Sequence, residues 1–396
     1  MTHRNHDELF LKQALELARQ GIGLASPNPC VGAIIVDERG RIIGRGSHTY
    51  EGKKHAEVIA LEQAGDKARG NTLYINLEPC SHVGRTGPCS DAVIEAGIQR
   101  VVAAMRDPNP LVSGQGFAKL RAAGIEVLEG LLEEEAHKLN ESFARYIRTR
   151  IPFGILKSAM TLDGKIGGGS VSRNSTALGS GQASIYITGE ESRRRVQELR
   201  HECDAIMVGV GTIVADDPLL TDRSGLPRRR KLLRVILDSR LRLSVESRVV
   251  QTCDKDVLVF CSFAADKKRA ELEKRGVTVE QIQVDAPQAE GGTAALSDEN
   301  RRPGLVQVFR RLGELEMTSV LVEGGAMINS ACLRAGVIDK LWLFYAPKLL
   351  GGQGTVPFLS SGHSQMSAPT AVKNVTLHRF GEDFAVEGYL QDPYEL

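Results

Sequence analysis

His55-Ala56-Glu57, with Pro79-Cys80 and then Cys89 further along, indicates both the fold and the chemistry of the first part of this chain. One neutral imidazole and two thiolates can occupy three tetrahedral positions around Zn²⁺, which leaves the fourth for a water that the metal acidifies. A nearby carboxylate can take a proton from that water and later deliver one to departing ammonia. The pattern predicts a zinc-dependent deaminase with His55, Cys80 and Cys89 as ligands and Glu57 as the catalytic acid and base.

The spacing of the two cysteines departs from the usual zinc deaminase signature. Eight residues, Ser81 to Pro88, separate Cys80 from Cys89, whereas that signature has two. The insert is polar and contains glycine, which predicts a loop over the metal that can hold substrate. Its sequence, Ser81-His82-Val83-Gly84-Arg85-Thr86-Gly87-Pro88, closely resembles the loop in the deaminase half of the bifunctional deaminase–reductases of riboflavin biosynthesis. A structural zinc site or an unmetallated pair of thiols is the alternative interpretation.

The composition is typical of a soluble enzyme with more than one domain. A chain of 396 residues exceeds what a single core usually supports. Its 50 basic and 49 acidic residues leave a net charge of +1, which provides no electrostatic surface for nucleic acid or an anionic membrane. We expect a cytoplasmic protein, since the sequence contains no leader-like segment and no apolar run of bilayer length. Seven mostly isolated cysteines argue against a disulfide framework.

Apolar periodicity predicts alternating helices and strands in the first 150 residues. Helices are expected at residues 7–19, 55–64, 90–96, 115–123 and 133–146, and strands at 30–36, 41–46, 72–77, 100–105 and 125–128. Such an alternation produces a sheet covered by helices. It suits the cytidine-deaminase-like α/β/α sandwich that the family resemblance implies, with the metal ligands at the beginnings of helices.

A domain boundary is predicted near Arg150, where a helical pattern gives way to basic residues and Pro152. We therefore expect domains at 1–150 and 151–396. Strands at 153–160, 205–208, 234–239, 257–261, 319–323 and 340–346 and helices at 266–275 and 326–335 indicate a second α/β domain. Gly209-Val210-Gly211 is predicted to be a turn after a strand. The third glycine of the dinucleotide fingerprint is absent, which argues against a Rossmann fold.

An ordered set of motifs in the second domain resembles the reductase domain of the same family. The motifs are Lys157 with Thr161-Leu162-Asp163-Gly164-Lys165, Gly211-Thr212, Ala215 to Arg223, Val322-Glu323-Gly324-Gly325, and Ala346 to Gly352. The resemblance covers essentially the whole chain. It implies a dihydrofolate-reductase-like α/β domain that uses NADPH to reduce a ribosylamino group to ribitylamino.

The resemblance also implies site residues. In the first domain the substrate contacts would be Asn28, His48, His82 and Arg85. In the second domain Lys157, Asp216 and Glu323 would surround the reacting sugar and nicotinamide. Ser184, Arg200, Leu220, Arg223 and Glu323 would bind substrate, and arginine suits its phosphate because the planar guanidinium offers paired donors. The cofactor would contact Ala159, Tyr186, Thr212, Asp216, Ser239, Gly325, Ala326, Met327, Ile328, Asn329, Ser330 and Ala331. Tyr186 stands where relatives have tryptophan.

The predicted function is two reactions in series on one small phosphorylated pyrimidine, with Zn²⁺ and NADPH as cofactors. We expect a homo-oligomer without nucleic-acid or membrane partners, and mobile loops at 167–181 and 285–303. A nucleic-acid-editing deaminase would need a basic, aromatic-bearing surface, which the neutral charge and 5% aromatic content disfavour. A C-terminal half that serves only as a binding or oligomerisation module is the remaining alternative, and failure to bind NADPH would favour it.

Overall fold

In this computed structural model the chain forms two compact units, and the division falls between Arg150 and Ile151. The four residues Pro227–Arg230 also group with the N-terminal unit. The structure describes residues 3–82, 87–168, 186–282, 302–352, 355–360 and 369–395.

The N-terminal unit contains a five-stranded sheet in the order β2-β1-β3-β4-β5. Strand β1 is antiparallel to β2 and β3, whereas β3, β4 and β5 run parallel. Its elements are α1 (His3–Arg19), β1 (Gly32–Val36), β2 (Ile42–Ser47), α2 (Ala56–Ala64), a 3-10 turn (Gly65–Ala68), β3 (Thr72–Leu77), α3 (Cys89–Glu95), β4 (Arg100–Met105), α4 (Gln115–Ala122), β5 (Glu126–Glu129) and α5 (Glu133–Thr149).

Two glycines of β2 allow α2 to pack directly against this sheet. A Cβ atom at Gly46 would lie 2.0 Å from the carbonyl oxygen of Ala56, and one at Gly44 would lie 2.2 Å from that of Ala60. Any side chain at these positions would push the helix away. Because α2 begins directly after His55, this close packing helps to set the position of the first predicted zinc ligand.

The C-terminal unit is built on a nine-stranded sheet in the order β11-β10-β9-β8-β12-β6-β13-β16-β15. In this order, every pair of neighbouring strands from β11 through to β13 is parallel. Strands β16 and β15 complete the sheet as an antiparallel hairpin. Strands β7 and β14 form a separate antiparallel pair. The elements are β6 (Phe153–Thr161), β7 (Lys165–Gly168), α6 (Glu190–Glu202), β8 (Ala205–Gly209), α7 (Val210–Asp216), β9 (Leu233–Leu237), α8 (Arg248–Gln251), β10 (Val257–Cys261), α9 (Asp266–Glu273), β11 (Thr278–Gln281), α10 (Leu305–Glu314), β12 (Ser319–Val322), α11 (Ala326–Arg334), β13 (Lys340–Ala346), β14 (Thr355–Pro357), β15 (Lys373–Phe380) and β16 (Asp383–Tyr389).

The central parallel strands are buried on both faces. Successive residues of β8 enter different apolar clusters, with Met207 in one and its neighbours Ile206 and Val208 in another. This alternation follows from the two-residue period of a strand. From β8 the chain continues to β9 on one side, whereas from the neighbouring strand β12 it continues to β13 on the other side. The sheet therefore has a switch point between β8 and β12. Ligands of open α/β sheets bind at the carboxyl ends of strands at such a point.

The predicted α/β class is confirmed in both units, and the predicted strands at 72–77, 100–105, 257–261 and 340–346 have the observed bounds. The predicted turn at Gly209-Val210-Gly211 is wrong, because α7 begins at Val210. Gly209 is needed for packing instead, since a Cβ there would lie 2.9 Å from Ile328. The predicted insert 167–181 begins inside β7, and most of it and of 285–303 lies outside the described residues.

Helix α6 and the hairpin β15–β16 were not predicted. Helix α6 is dominated by charged residues, and β15 is exposed at most positions, so neither has the apolar pattern that sequence reasoning uses. None of the seven cysteines forms a disulfide, and Cys30 and Cys253, predicted to be buried, are only half-buried. Among the described residues no helix has both the length and the apolar character needed to cross a bilayer.

Candidate active sites

The three predicted zinc ligands converge in the N-terminal unit. The Nδ1 atom of His55 lies 3.0 Å from the Cys89 sulfur and 3.6 Å from the Cys80 sulfur, and the three donor atoms all lie within 4.8 Å of one another. Tetrahedral zinc with one nitrogen and two sulfur ligands places its donors roughly 3.4–3.8 Å apart. The donor set therefore fits Zn²⁺; the 3.6 Å separation of His55 and Cys80 lies in this range, and the 3.0 Å separation of His55 and Cys89 is shorter.

Local structure explains how each ligand is presented. His55 precedes α2 in an extended conformation, and Cys89 is the first residue of α3. Cys80 follows strand β3, so the expectation that all ligands lie at helix beginnings is wrong for this residue. Strand β3 ends three residues before Cys80 and so places Cys80 at the carboxyl edge of the sheet. There the backbone N–H of Cys89 donates to the Cys80 sulfur over 3.3 Å. Such donation favours the thiolate form that metals bind.

Glu57 lies beside these ligands in the first turn of α2 and is only 3% exposed. Burial raises the pKa of its carboxyl group to about 7. A hydrogen bond with the Cys89 thiol lowers the pKa of Cys80, whereas the same bond raises the pKa of Cys89. A carboxyl group with a pKa near neutrality suits a role that takes up a proton and returns it.

Asn28 and His48 form a hydrogen-bonded pair near the zinc ligands. Asn28 Nδ2 lies 3.0 Å from His48 Nε2, and His48 Nδ1 lies 2.9 Å from the carbonyl oxygen of Lys54. Since a carbonyl can only accept, Nδ1 carries the proton, and Nε2 accepts from the Asn28 amide. Burial lowers the pKa of His48, which favours this neutral ring. The ring also contacts His55 edge to face, with centroids 5.4 Å apart.

His82 is exposed two residues after Cys80, and Arg85 lies outside the described residues. A feature that sequence reasoning missed is Glu78, which is 4% exposed and accepts hydrogen bonds from the backbone N–H groups of the segment following β4. The donors are Asp107 at 3.0 Å, Gly114 at 2.9 Å, Gly116 at 2.8 Å and Phe117 at 3.2 Å. The position of Glu78 directly before Pro79-Cys80 was the sequence signal that could have identified it.

The C-terminal unit brings together three of its predicted polar residues. Val322, the last residue of β12, pairs with Leu156 of β6, so Glu323 and Lys157 follow at neighbouring positions. Lys157 Nζ lies 2.9 Å from Glu323 Oε2, and Arg200 of α6 donates to both carboxylate oxygens at 2.8 and 3.1 Å. Burial alone would raise the pKa of Glu323, but the two adjacent cations lower it to about 2. Glu323 is therefore an ionised, buried carboxylate.

The segment after α7 carries Leu220 and Arg223. The Leu220 side chain is 4% exposed and packs in the core, and its backbone has a φ of 55°. Arg223 is exposed, and its backbone N–H donates to Gln197 of α6. Asp216 is the last residue of α7, and although the residue as a whole is exposed, desolvation of its carboxyl group raises the pKa of that group.

The predicted cofactor residues Ala159, Thr212, Ser239 and Gly325 lie at or near the carboxyl ends of β6, β8, β9 and β12. A Cβ at Gly211 or Gly325 would meet no atom within 4 Å, so the backbone here borders open space. Gly325 directly precedes the nine-residue helix α11, and backbone N–H groups at a helix N-terminus are suited to binding phosphate.

The other predicted cofactor residues differ in their exposure to solvent. Asn329 and Ser330 of α11 are buried, and they hydrogen-bond the backbone of Phe358 at 3.1 Å and of Ser360 at 2.9 Å. Ala326, Met327, Ile328 and Ala331 share that helix. Tyr186 is 60% exposed, and the Arg193 guanidinium lies 4.6 Å from its ring centre. Ser184 lies outside the described residues.

Two protein-family models match the chain. Residues 4–105 match the cytidine and deoxycytidylate deaminase zinc-binding region, and residues 152–386 match the RibD C-terminal domain. The second match alone covers more than half of the chain.

Individual relatives match along nearly the whole length. The riboflavin biosynthesis protein RibD of Aquifex aeolicus is 40% identical over 383 residues, which cover 97% of this chain and 98% of the relative. RibD of Actinobacillus pleuropneumoniae is 38% identical and covers 97% of this chain and 95% of its own. The solved structure of a diaminohydroxyphosphoribosylaminopyrimidine deaminase/5-amino-6-(5-phosphoribosylamino)uracil reductase from Thermotoga maritima is 38% identical and has a TM-score of 0.78. That match covers 98% of this chain and 99% of the other.

Proposed function

Because this chain belongs to the bifunctional deaminase–reductases of riboflavin biosynthesis, we propose that each compact unit carries one reaction, with the residues named below. The enzyme combines a zinc-dependent deaminase with an NADPH-dependent reductase. The observation that carries the assignment of residues is the convergence of His55, Cys80 and Cys89 beside buried Glu57. The substrate is 2,5-diamino-6-(5-phosphoribosylamino)pyrimidin-4(3H)-one.

In the deamination, His55, Cys80 and Cys89 would hold the zinc ion, which when bound would supply an acidified water as the nucleophile for the ring carbon that carries the exocyclic amine. Glu57 takes a proton from this water and delivers one to the departing ammonia, which its burial and near-neutral pKa favour. The His48 ring holds the Asn28 amide so that its Nδ2 faces the histidine, which directs the Asn28 carbonyl oxygen to accept from the pyrimidine. His82 and Arg85 are proposed to bind the ribose phosphate.

In the reduction, NADPH when bound would supply the hydride for C1 of the opened sugar. The Glu323 carboxylate fixes the Lys157 ammonium over 2.9 Å, so the ammonium can orient or donate to the sugar oxygen. Arg200 and Arg223 are proposed to bind the phosphate, with Ser184 and the Leu220 backbone as further substrate contacts. Thr212, Asp216, Ser239, Ala159, Tyr186 and the beginning of α11 are proposed to line the cofactor.

Incubation of the purified protein with the diaminopyrimidine substrate, with and without NADPH, tests both halves. We expect ammonia release without NADPH and a mass gain of two hydrogens only when NADPH is present. Ammonia release with no further change on adding NADPH, and no NADPH binding, would instead identify the C-terminal unit as a non-catalytic module. No ammonia from zinc-loaded protein would contradict the proposed substrate.

Glu57→Gln tests the assignment of the proton-transfer residue. The amide cannot accept a proton, so we expect deamination to fall at least about a hundredfold, the lower range for loss of a general acid–base group. Reduction of pre-deaminated substrate should be unchanged. The matched control is Glu62→Gln in the same helix, where Glu62 makes an exposed ion pair with Lys54. Loss of both activities in folded Glu57→Gln protein would contradict separate sites.

We further propose a cytoplasmic homo-oligomer. None of the seven cysteines forms a disulfide, which suits a reducing compartment. Strand β15 is the last strand in the order of the nine-stranded sheet, and it exposes Val375 by 53% and Leu377 by 70%. Exposed apolar edge strands favour pairing with another chain, here a second copy. Light scattering after chromatography tests this, and Leu377→Lys should lower the measured mass if β15 forms the contact.

A further inference from the structure

Helix α5 is distorted at a buried asparagine. Asn140 has φ −114° and ψ 16°, which are not helical, although it lies inside the span Glu133–Thr149. Its side chain is 2% exposed. The Oδ1 atom accepts from the Cys30 backbone N–H at 2.8 Å, and Nδ2 donates to the Cys30 carbonyl at 3.1 Å. The helix thus departs from regular geometry where its amide side chain satisfies both backbone groups of one distant residue.

A second buried asparagine holds the same segment. Asn76 of β3 is fully buried, and its Nδ2 donates to the Cys30 carbonyl at 2.9 Å. Its Oδ1 accepts from the Gly32 N–H at 2.8 Å. Asn76 follows Ile75, which pairs with Ala33 of β1, so the side chain supplies hydrogen bonds just where the backbone ladder between β3 and β1 ends.

These four hydrogen bonds act on the backbone between Asn28 and strand β1. Gly32 is confined as well, since a Cβ there would lie 2.2 Å from the carbonyl oxygen of Ala14 in α1. Val31 lies between Cys30 and Gly32, and its carbonyl accepts from the His48 N–H at 2.9 Å. The segment that the asparagines hold is therefore connected directly to both members of the Asn28–His48 pair.

We propose that Asn76 and Asn140 are positioning residues for the pyrimidine subsite of the deaminase, acting through the backbone of Cys30 to hold Asn28 against His48. This rests on the proposed role of Asn28 as a pyrimidine ligand. Buried amides that satisfy both a donor and an acceptor of one backbone segment restrict it to a single arrangement. Such rigid support lowers the cost of ordering a ligand-binding side chain.

Asn140→Ala and Asn76→Ala test this in the full-length, zinc-loaded enzyme. Each change leaves buried backbone groups of Cys30 or Gly32 without these partners. We expect the deaminase KM to rise about tenfold, equivalent to about 1.4 kcal/mol of binding, with kcat within about threefold of the wild type. Hydrogen–deuterium exchange should accelerate in peptides covering residues 26–34 and remain unchanged in those covering β4.

Three controls separate positioning from a general structural effect. Asn71→Ala removes a surface amide that donates to the Lys67 carbonyl at 2.6 Å in the same unit, and it should leave KM unchanged. Zinc content and the reduction of pre-deaminated substrate should match the wild type in every variant. Asn140→Asp keeps the acceptor for the Cys30 N–H, and it should lie between Asn140→Ala and the wild type in KM.

An unchanged KM in zinc-loaded Asn140→Ala and Asn76→Ala protein overturns the proposal. So does a fall in kcat or zinc content with KM constant in Asn140→Ala and Asn140→Asp, because that result identifies a purely structural role. Failure of the proposed function itself gives a different result, since the wild type and Asn71→Ala would then release no ammonia.

Discussion

Glu323 illustrates how much depends on single residues in the reductase unit. Its carboxylate is buried between the Lys157 ammonium and the Arg200 guanidinium, and all three side chains are at most 13% exposed. Removing one partner of such a group leaves buried charge without compensation, which is far more costly than breaking a surface pair. The two cations hold the pKa of Glu323 at about 2, below the ordinary value of 4.5, although burial opposes this.

Glu323→Gln is therefore expected to destabilise the reductase unit by about 3–5 kcal/mol at neutral pH and to abolish reduction while sparing deamination. The stabilisation by Glu323 is complete above pH 4.5 and is lost as pH falls towards 2, because protonation removes its charge. Urea unfolding of wild type and variant between pH 2 and 7 measures this. The stability difference should shrink towards pH 2; a difference independent of pH would contradict the assigned ionisation.

At the scale of elements, helix α6 holds the segment that connects α7 to β9. Arg200 Nη1 donates to the Thr221 carbonyl at 3.0 Å, and Gln197 accepts from the Arg223 N–H at 3.0 Å. Next to Arg200, the buried His201 ring lies 3.0 Å from the Asp222 carboxylate. Three consecutive residues of the segment are thus fixed by one helix, which also contributes Arg200 to the Glu323 cluster.

Asp222→Asn is expected to weaken this attachment, because the charge on the partner of His201 is removed. We expect the reductase KM for the deaminated substrate to rise about fivefold, the effect of losing about 1 kcal/mol, with NADPH affinity unchanged. Steady-state kinetics and NADPH fluorescence measure the two quantities. Glu202→Gln, which breaks an ion pair with Arg195 on the same helix, is the control. Equal changes in both variants would show that general helix stability, not the segment, is responsible.

At the scale of the whole molecule, each unit has its own sheet, and the C-terminal unit has its own extensive apolar clusters. The three proposed zinc ligands all belong to the N-terminal unit. A metal that binds only the folded state stabilises the part of the protein that holds it. The effects of zinc should accordingly be confined to that unit.

Removal of zinc with a chelator is expected to abolish ammonia release and leave reduction of pre-deaminated substrate intact. Calorimetry should show one transition moving to lower temperature and returning when zinc is added back. Glu57→Gln, which retains the three ligands, should show the same shift. Parallel loss of both activities on chelation would contradict the assignment of zinc to one unit.

The order of helices and strands in the N-terminal unit was largely predictable, because its apolar residues recur with clear helical or strand periods. Strand β3 and the following Pro79-Cys80 are examples, since the run Thr72–Leu77 is buried almost throughout. The charged α6 and the exposed β15 were missed because their stability comes from tertiary neighbours. Asn140 was missed for a related reason: its role depends on Cys30, 110 residues away.

By itself the sequence determined the α/β class, the zinc chemistry and the family, since those depend on residue types at short spacing and on motif order. Only the tertiary structure decided that Glu323 lies between Lys157 and Arg200, that His48 orients Asn28, and that Asn76 and Asn140 hold the backbone beside it. The physical reason is that strand register and helix packing bring together groups far apart in the chain, and local patterns carry no information about that convergence.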